Sequence, residues 1–320
     1  MDVVKIQAVT ATIRSPNGWQ DPIKSIGRSI SDLRSLLRFE KPVIIVSAPR
    51  AGSTLLFELL SQSQDAWTIA GESQAVIERI PEFHPRTHGF DSNRLTDKDA
   101  NDANVVRLLA GFWSDLRDRD GQALREASPP AHLVFIEKTP KNALRIPFLN
   151  AIFPDARFIF LFRDPRANIG SLIDGWVSGK FVTYPALPQW QGPRWSFLLT
   201  PGWRDLIGAP LASIAAAQWE QANRHIMDDL AHLPRNRWHV VQYEALIADP
   251  SRVVQRLCDF AGLAFDTRLK SVVSGSLPLS TKTLTAPSPT KWSKHESEIL
   301  PLLPKLEKTH TRLLEFTSDL

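Results

Sequence analysis

The sequence predicts an α/β fold: one parallel β-sheet flanked by helices on both faces, in a single domain. Three observations carry this. Short apolar runs at 43–47, 132–138, 156–162 and 237–243 read as buried strands. Stretches with helical character separate them, and strands alternating with helices build a parallel sheet. With 320 residues, 43% of them apolar, the chain can bury a full core without staples.

Residues 1–40 read as an N-terminal extension with a helix at 23–37 that packs on the body. Pro42 and VIIVS (43–47) follow, then a Gly-containing turn and STLLFELLSQ, an amphipathic helix. Residues 84–131 are polar and charged, with a helix expected over 103–127. HLVFIEK (132–138) is the second strand, KNALRIPFLNAIFP (141–154) a helix bent near Pro147, and ARFIFLF (156–162) the third strand. PRANIGSLIDGW (165–176) opens a helix with proline just inside its start, where a missing N–H costs nothing. Residues 176–203 carry Trp176, Trp190, Trp195 and Trp203 among four prolines. A segment this long is a lid or binding loop, its tryptophans lining a pocket or packing on one another. RWHVVQY (237–243) is the fourth strand, and Asp249-Pro250 caps the helix SRVVQRLCDFAG.

The charge balance, 38 Lys+Arg against 34 Asp+Glu, leaves a net charge of +4. Spread over this length it is too thin for a nucleic-acid binder, though it suits local anion sites. Cys258 is the only cysteine, which excludes an intrachain disulfide and a Cys-rich zinc site. His84 and His88 have metal-compatible spacing on a helix, but Pro85 and Gly89 argue against a helix there and no acid pair completes the set, so no metal is expected. The first residues lack the apolar core of a signal peptide, and no apolar run reaches transmembrane length. The expectation is a soluble cytoplasmic protein with no membrane span, monomeric or a homodimer.

VIIVSAPRAGSTLLFELL (43–60) is the most informative stretch. A buried strand ends, a Pro-Arg-Ala-Gly-Ser-Thr turn follows, and a helix begins. The backbone N–H groups of Arg50, Ala51, Gly52, Ser53 and Thr54 then point into one concavity, joined by the positive end of the new helix. Ser53 and Thr54 add hydroxyls and Arg50 a fixed charge, while Gly52 lets an anion approach closely. The loop is made for phosphate or sulfate. It is not a Walker A loop, because the basic residue precedes the glycine and no lysine stands before Ser53.

RDPRANIGS (163–171) follows the third strand directly. Arg163 leaves the carboxyl end of that strand, where α/β sheets place ligands. Ser171 comes eight positions later, about two helical turns on. The two can grip one anion from two sides, while Arg166 pairs with Asp164 or faces solvent.

Together the two loops resemble the sulfotransferase family that uses 3′-phosphoadenosine 5′-phosphosulfate (PAPS). SAPRAGSTLL is similar to the form in tyrosylprotein and many bacterial members, and FIEKTPKN (135–142) and VVQYEALIADP (240–250) resemble further family blocks. The resemblance covers roughly 42–295. It implies a P-loop-type fold, with 84–131 and 176–230 as acceptor-side insertions. It implies PAPS as co-substrate, adenosine 3′,5′-bisphosphate (PAP) as product and no metal. The first loop would hold the 5′-phosphosulfate, Arg163 and Ser171 the 3′-phosphate, Tyr243 the adenine end, and Lys291 of Lys291-Trp292 a further nucleotide contact.

The chemistry asks for cations where negative charge grows and a base for the acceptor proton. Arg50 is placed to meet that charge, and the resemblance puts a catalytic lysine at Lys138. The histidine base of the cytosolic relatives would stand at position 140, which is Pro140 here. The tyrosylprotein type uses a glutamate after the first helix, which makes Glu72 the expected base. The match is imperfect, because the family acid is the second of a Gly-Glu-Glu and Ser73 occupies that place. Glu78, His84 and His88 are the alternatives. Arg79, His84 and Trp176 are the expected acceptor contacts. The acceptor would offer a hydroxyl or amine on a small molecule or peptide. A kinase using ATP and magnesium, and a non-catalytic nucleotide-binding relative, are the competing readings.

Overall fold

The computed structural model of the protein describes residues 3–15, 18–127, 130 and 132–318. Strands β1 (Arg14–Ser15) and β2 (Gly18–Trp19) form a small antiparallel ladder. The central sheet uses β3 (Val43–Val46), β4 (Ala66–Trp67), β5 (Val134–Lys138) and β6 (Arg157–Phe162). Outside it, β7 (Val182–Tyr184) and β8 (Trp195–Ser196) pair antiparallel, and β9 (Trp238–Gln242) returns to the sheet edge. The order is β4-β5-β3-β6-β9 with every neighbour parallel, so all five carboxyl ends share one edge.

Helices α1 (Val3–Ile13), α2 (Pro22–Ser25) and α3 (Ile30–Leu36) precede β3. Helix α4 (Ser53–Leu60) follows it, and α5 (Gln74–Ile77) and α6 (Asp102–Asp115) follow β4. Helix α7 (Ile146–Ile152) joins β5 to β6, and α8 (Pro165–Ser178) and α9 (Leu211–Leu230) join β6 to β9. Beyond lie α10 (Tyr243–Ala248), α11 (Pro250–Ala261), α12 (Thr267–Ser274), α13 (Glu296–Ile299) and α14 (Leu303–Ser318).

Side chains alternate along each strand and so feed two cores. Ile44, Val46, Phe135, Phe158 and Phe160 face a layer that includes α1, α6 and α9, while Val43, Ile45, Ile136, Ile159 and Leu161 face α4, α11 and α12. Local chemistry fixes the helix ends. The Asp164 side chain accepts from the N–H groups of Arg166 and Ala167 at the start of α8, which stops at Gly179 with φ 65°.

The structure corrects several expectations. The helix expected at 23–37 is two short ones, broken at Gly27 (φ 63°) and recapped by Ser29. The extension also carries α1, whose Ile6 and Ile13 are fully buried in the main core. The helix expected over 103–127 stops at Asp115. Leu116 turns extended, and Arg117 exchanges backbone hydrogen bonds with Thr68 at 2.7 and 2.9 Å instead of continuing the helix. Within 176–230, α9 is a 20-residue core helix with Trp219 and Ile226 wholly buried.

Candidate active site

The carboxyl ends of the five parallel strands deliver the site. After β3 the loop 47–52 turns tightly into α4, and the Asn168 amide holds the Pro49 carbonyl at 2.8 Å, tying this loop to α8. Arg50 adopts φ 65°, a conformation side chains disfavour. Not every backbone donor of the loop is free, since the Ala51 N–H closes a turn onto the Ala48 carbonyl at 3.3 Å. The first N–H groups of α4 have no intrahelical acceptor and add the dipole's positive end. Gly52 is required twice over. Its φ is 109°, and a Cβ there would stand 2.4 Å from Tyr243 Cδ2.

Arg50 joins the two anion loops. Its Nε donates to Ser171 Oγ at 3.3 Å, an Nη donates to the Lys282 carbonyl at 2.8 Å, and the guanidinium lies 4.6 Å above the Phe181 ring. Burial, and next the Arg163 guanidinium, pull its pKa below the usual arginine value. Arg163 stacks 4.5 Å over the Tyr243 ring, and its Nε is buried with no partner among the described residues. Such an orphaned donor is costly unless an anion meets it. Arg166 does pair with Asp164, at 3.0 Å, and also lies over Trp292.

One cavity is lined by Arg50, Gly52, Arg163, Ser171, Tyr243 and Lys291, with hydroxyls of the strap around 280–290 closing one side. Asp174 anchors the basic end of that strap: Lys294 lies at 2.7 Å, His295 Nε2 at 2.9 Å and Lys291 at 3.8 Å. Burial opposes the Asp174 charge, but the hydrogen bonds from His295 and Lys294 outweigh it and hold its pKa low. Lys291 is pushed below the ordinary lysine value, first by burial and then by Lys294, Arg50 and Arg163, with Asp174 opposing. Trp292 sits on Gly170, where a Cβ would meet it at 3.0 Å.

A second cavity shares Arg50 and Lys282 with the first and continues past Thr54, Glu72 and Lys141 to an apolar wall of Phe181, Val182, Phe197 and Leu198. Lys138 Nζ, almost wholly buried, donates to Glu72 Oε1 at 2.8 Å and to Thr54 Oγ1 at 3.1 Å. The expected base and cation are therefore paired beside the start of α4. Ser73, in place of the second acid, is fully buried and bonded to Glu137, so Glu72 is the acid of this loop that reaches the cavity.

Other expected residues lie elsewhere. The Glu78 carboxylate is held by Lys141 at 2.7 Å and Arg145 at 2.9 Å. Burial would raise its pKa, but those two cations outweigh it and lower it, which makes it a weaker base. His84 Nδ1 accepts the Arg86 N–H, and His88 Nε2 meets the Glu82 carbonyl. Burial lowers the His84 pKa, with Lys141, Arg86 and Arg145 adding to it against Glu78. Exposed Arg79 borders a separate hollow beside Asp21 and Arg107. Trp176 is only 4% exposed, donates to Gln218 Oε1, and packs edge-on to Trp195, which in turn meets Trp190 and Trp203. Neither Trp176, Arg79, His84 nor His88 lines the two cavities.

Several site residues escaped sequence reasoning. Lys141 stands three positions after Lys138, a visible hint, and burial pulls its pKa down to about 8. Asn168 lies inside the 163–171 motif. Lys282 and the hydroxyls around it had no local signal, because the strap reaches the site only through tertiary folding. Among the described residues, no group of three or more His, Cys, Asp or Glu could hold a metal ion.

Comparison with known proteins gives a family match and several relatives. Residues 42–267 match the model of the sulfotransferase family. The chain is 26% identical over 237 residues to nodulation protein NoeE of Sinorhizobium fredii, covering 69% of this chain and 49% of that protein. It is 20% identical over 229 residues to protein-tyrosine sulfotransferase 2 of Gallus gallus, covering 71% and 52%. It thus spans about half the length of these two relatives. The solved sulfotransferase domain of the Synechococcus PCC 7002 olefin synthase superposes with a TM-score of 0.47 at 20% identity, over 85% of this chain and 95% of that one. With its matched segment running from the strand before the first anion loop to the start of α12, the chain belongs to the sulfotransferase family.

Proposed function

We propose that the protein transfers the sulfuryl group of PAPS to a hydroxyl or amine of a small-molecule or peptide acceptor. The observation that carries this is the cavity in which Arg50, Gly52, Arg163, Ser171, Tyr243 and Lys291 meet. Its residues fit a bisphosphorylated nucleotide. The buried Arg163 Nε, without a partner among the described residues, asks for an anion, and the bare Cα of Gly52 lets the Tyr243 ring pack directly against the anion loop. Arg163, Ser171 and Lys291 would hold the 3′-phosphate, Tyr243 the adenine end, and the loop 50–54 the 5′ end.

PAPS supplies a sulfuryl group on an anhydride to phosphate. In the transfer, the acceptor O–S or N–S bond forms as the bridging S–O bond breaks, and PAP leaves. This chain's residues position and neutralise. Arg50 and Lys138 meet the charge growing on the bridging oxygen and the leaving phosphate. Glu72, hydrogen-bonded to Lys138 at the mouth of the second cavity, takes the acceptor proton. The apolar wall beyond Glu72 takes the body of the acceptor.

A kinase reading finds no support in the first loop, which lacks the phosphate-binding lysine, and Asp164 after β6 is engaged as the cap of α8. As part of the sulfuryl-transfer proposal we place the protein in the cytoplasm. No helix of the described residues is long and apolar enough to cross a membrane. The test is turnover of radiolabelled PAPS without added magnesium across phenol, alcohol, amine and peptide acceptors, read by mass shift. Transfer to at least one class is expected. Failure to bind PAP, or binding that requires magnesium, would overturn the proposal.

A further inference from the structure

The loop between β4 and α5 grips the carboxyl end of β5 from both faces. Side chains alternate along β5, so Lys138 faces α4 and Glu137 faces the opposite layer. Glu72 goes to Lys138 on the first face. The very next residue, Ser73, goes to the second. Its hydroxyl donates to Glu137 Oε1 at 2.5 Å, and its backbone N–H donates to Thr139 Oγ1 at 2.7 Å. The Asn142 amide holds the other Glu137 oxygen.

Two features show that this second grip is needed. Glu137 is 2% exposed, and its burial raises the carboxyl pKa, so each lost donor leaves it further undersolvated. The loop also begins at Ala70, whose φ of 57° is a conformation that alanine disfavours and that surrounding contacts must enforce. Ser73 lines neither cavity, so any effect it has on the reaction passes through its neighbour.

We infer that Ser73 is a positioning residue: through Glu137 and Thr139 it fixes the cavity-lining Glu72 carboxylate against the buried Lys138. The inference rests on Glu72 being the base. Lys138 from β5 pairs with that carboxylate, and Arg50 from the first loop, Lys141 beyond β5, Lys180 after α8 and Lys282 from the strap are the other charged groups that line its cavity.

The test is a double-mutant cycle on the full chain, comparing the unaltered protein with Ser73→Ala, Glu72→Gln and the double variant. PAP release from PAPS is measured with each of the phenol, alcohol, amine and peptide acceptors of the screen above and with water alone, and PAP binding is measured by calorimetry. Ser73→Ala should lower kcat by about tenfold or more while the Kd for PAP stays within about twofold. In the Glu72→Gln background it should cost no more than about twofold, because a residue that acts only through Glu72 has nothing left to position. A merely structural residue would multiply the two losses, and that result overturns the inference. So does unchanged kcat in Ser73→Ala, or loss of PAP binding in step with kcat. If Glu72→Gln itself keeps full kcat, or the unaltered protein releases no PAP, the base assignment fails and the inference falls with it. If Glu72→Gln is impaired and Ser73→Ala is not, only the inference fails.

Discussion

Gly52 and Tyr243 stand so close that a methyl group on the glycine would sit 2.4 Å from a ring carbon of the tyrosine. The first residue of α10, directly after β9, thus seals the loop that leaves β3. Gly52→Ala must either shift that ring or distort the loop, on top of about 1–3 kcal/mol of backbone strain at φ 109°. It should weaken PAP binding by tenfold or more, and the double change Gly52→Ala with Tyr243→Ala should recover part of the loss. Calorimetric titration of both variants checks this, and a Gly52→Ala protein with undiminished affinity would remove the cradle from the account.

Arg163 and Ser171 separate the two ends of the nucleotide. Arg163→Ala should weaken PAP by about 10- to 100-fold, the worth of a charge-assisted hydrogen bond, yet spare adenosine 5′-phosphosulfate. Ser171→Ala should do the same more weakly. It also releases Arg50 Nε from its 3.3 Å contact, so its effect on the 5′ end should exceed that of Arg163→Ala. Equal losses for the two nucleotides in the Arg163 variant would place the 3′-phosphate elsewhere.

The Glu72–Lys138 pair separates binding from chemistry. Glu72→Gln should retain PAP affinity and lower kcat by about 10²–10⁴, the usual contribution of a general base. Lys138→Ala should depress kcat more than it raises the cofactor Kd, because its charge serves the transition state. Stopped-flow single turnovers against equilibrium binding distinguish the two, and a Lys138→Ala defect confined to binding would contradict the assignment.

Glu78 is a matter of stability. Its carboxylate serves two buried cations, Lys141 and Arg145, whose side chains are 3% and 0% exposed. Removing the carboxylate in Glu78→Gln should destabilise the fold by about 3–5 kcal/mol, the cost of leaving buried charge unpaired. The folded pKa lies below the ordinary 4.5, so the contribution is complete above that pH and is lost as pH falls through the folded value. Urea melts taken from pH 7 downward should show the difference between Glu78→Gln and the unaltered chain shrinking once the pH falls below 4.5. A gap that stays constant with pH would mean that the ion pair does not set it.

Much of this was legible in the sequence because it is locally encoded. Each of the four long strands is an apolar run. The first anion loop is a strand, a glycine turn and a helix within 18 residues, and the second adds Asp164-Pro165 as a cap. What escaped was set by distant partners. The stretch after Asp115 keeps a helical composition, yet Arg117 finds a better backbone partner in Thr68. The tryptophans of 176–203 look like pocket aromatics, but four of them meet one another edge-on. Glu78 and Glu72 are equivalent as letters six positions apart, and only the fold gives one to two buried cations and the other to the cavity.

The hydrogen bond from Arg50 to the Lys282 carbonyl spans 232 positions of chain. On a ribosome, the sheet edge and both anion loops are complete long before Lys282 is made. A chain ending near 275 would lack that anchor of its key arginine together with Ile299, Leu306 and Leu313 of the main core. Ligand-binding competence should therefore appear late in synthesis, when the strap and the C-terminal helices arrive together.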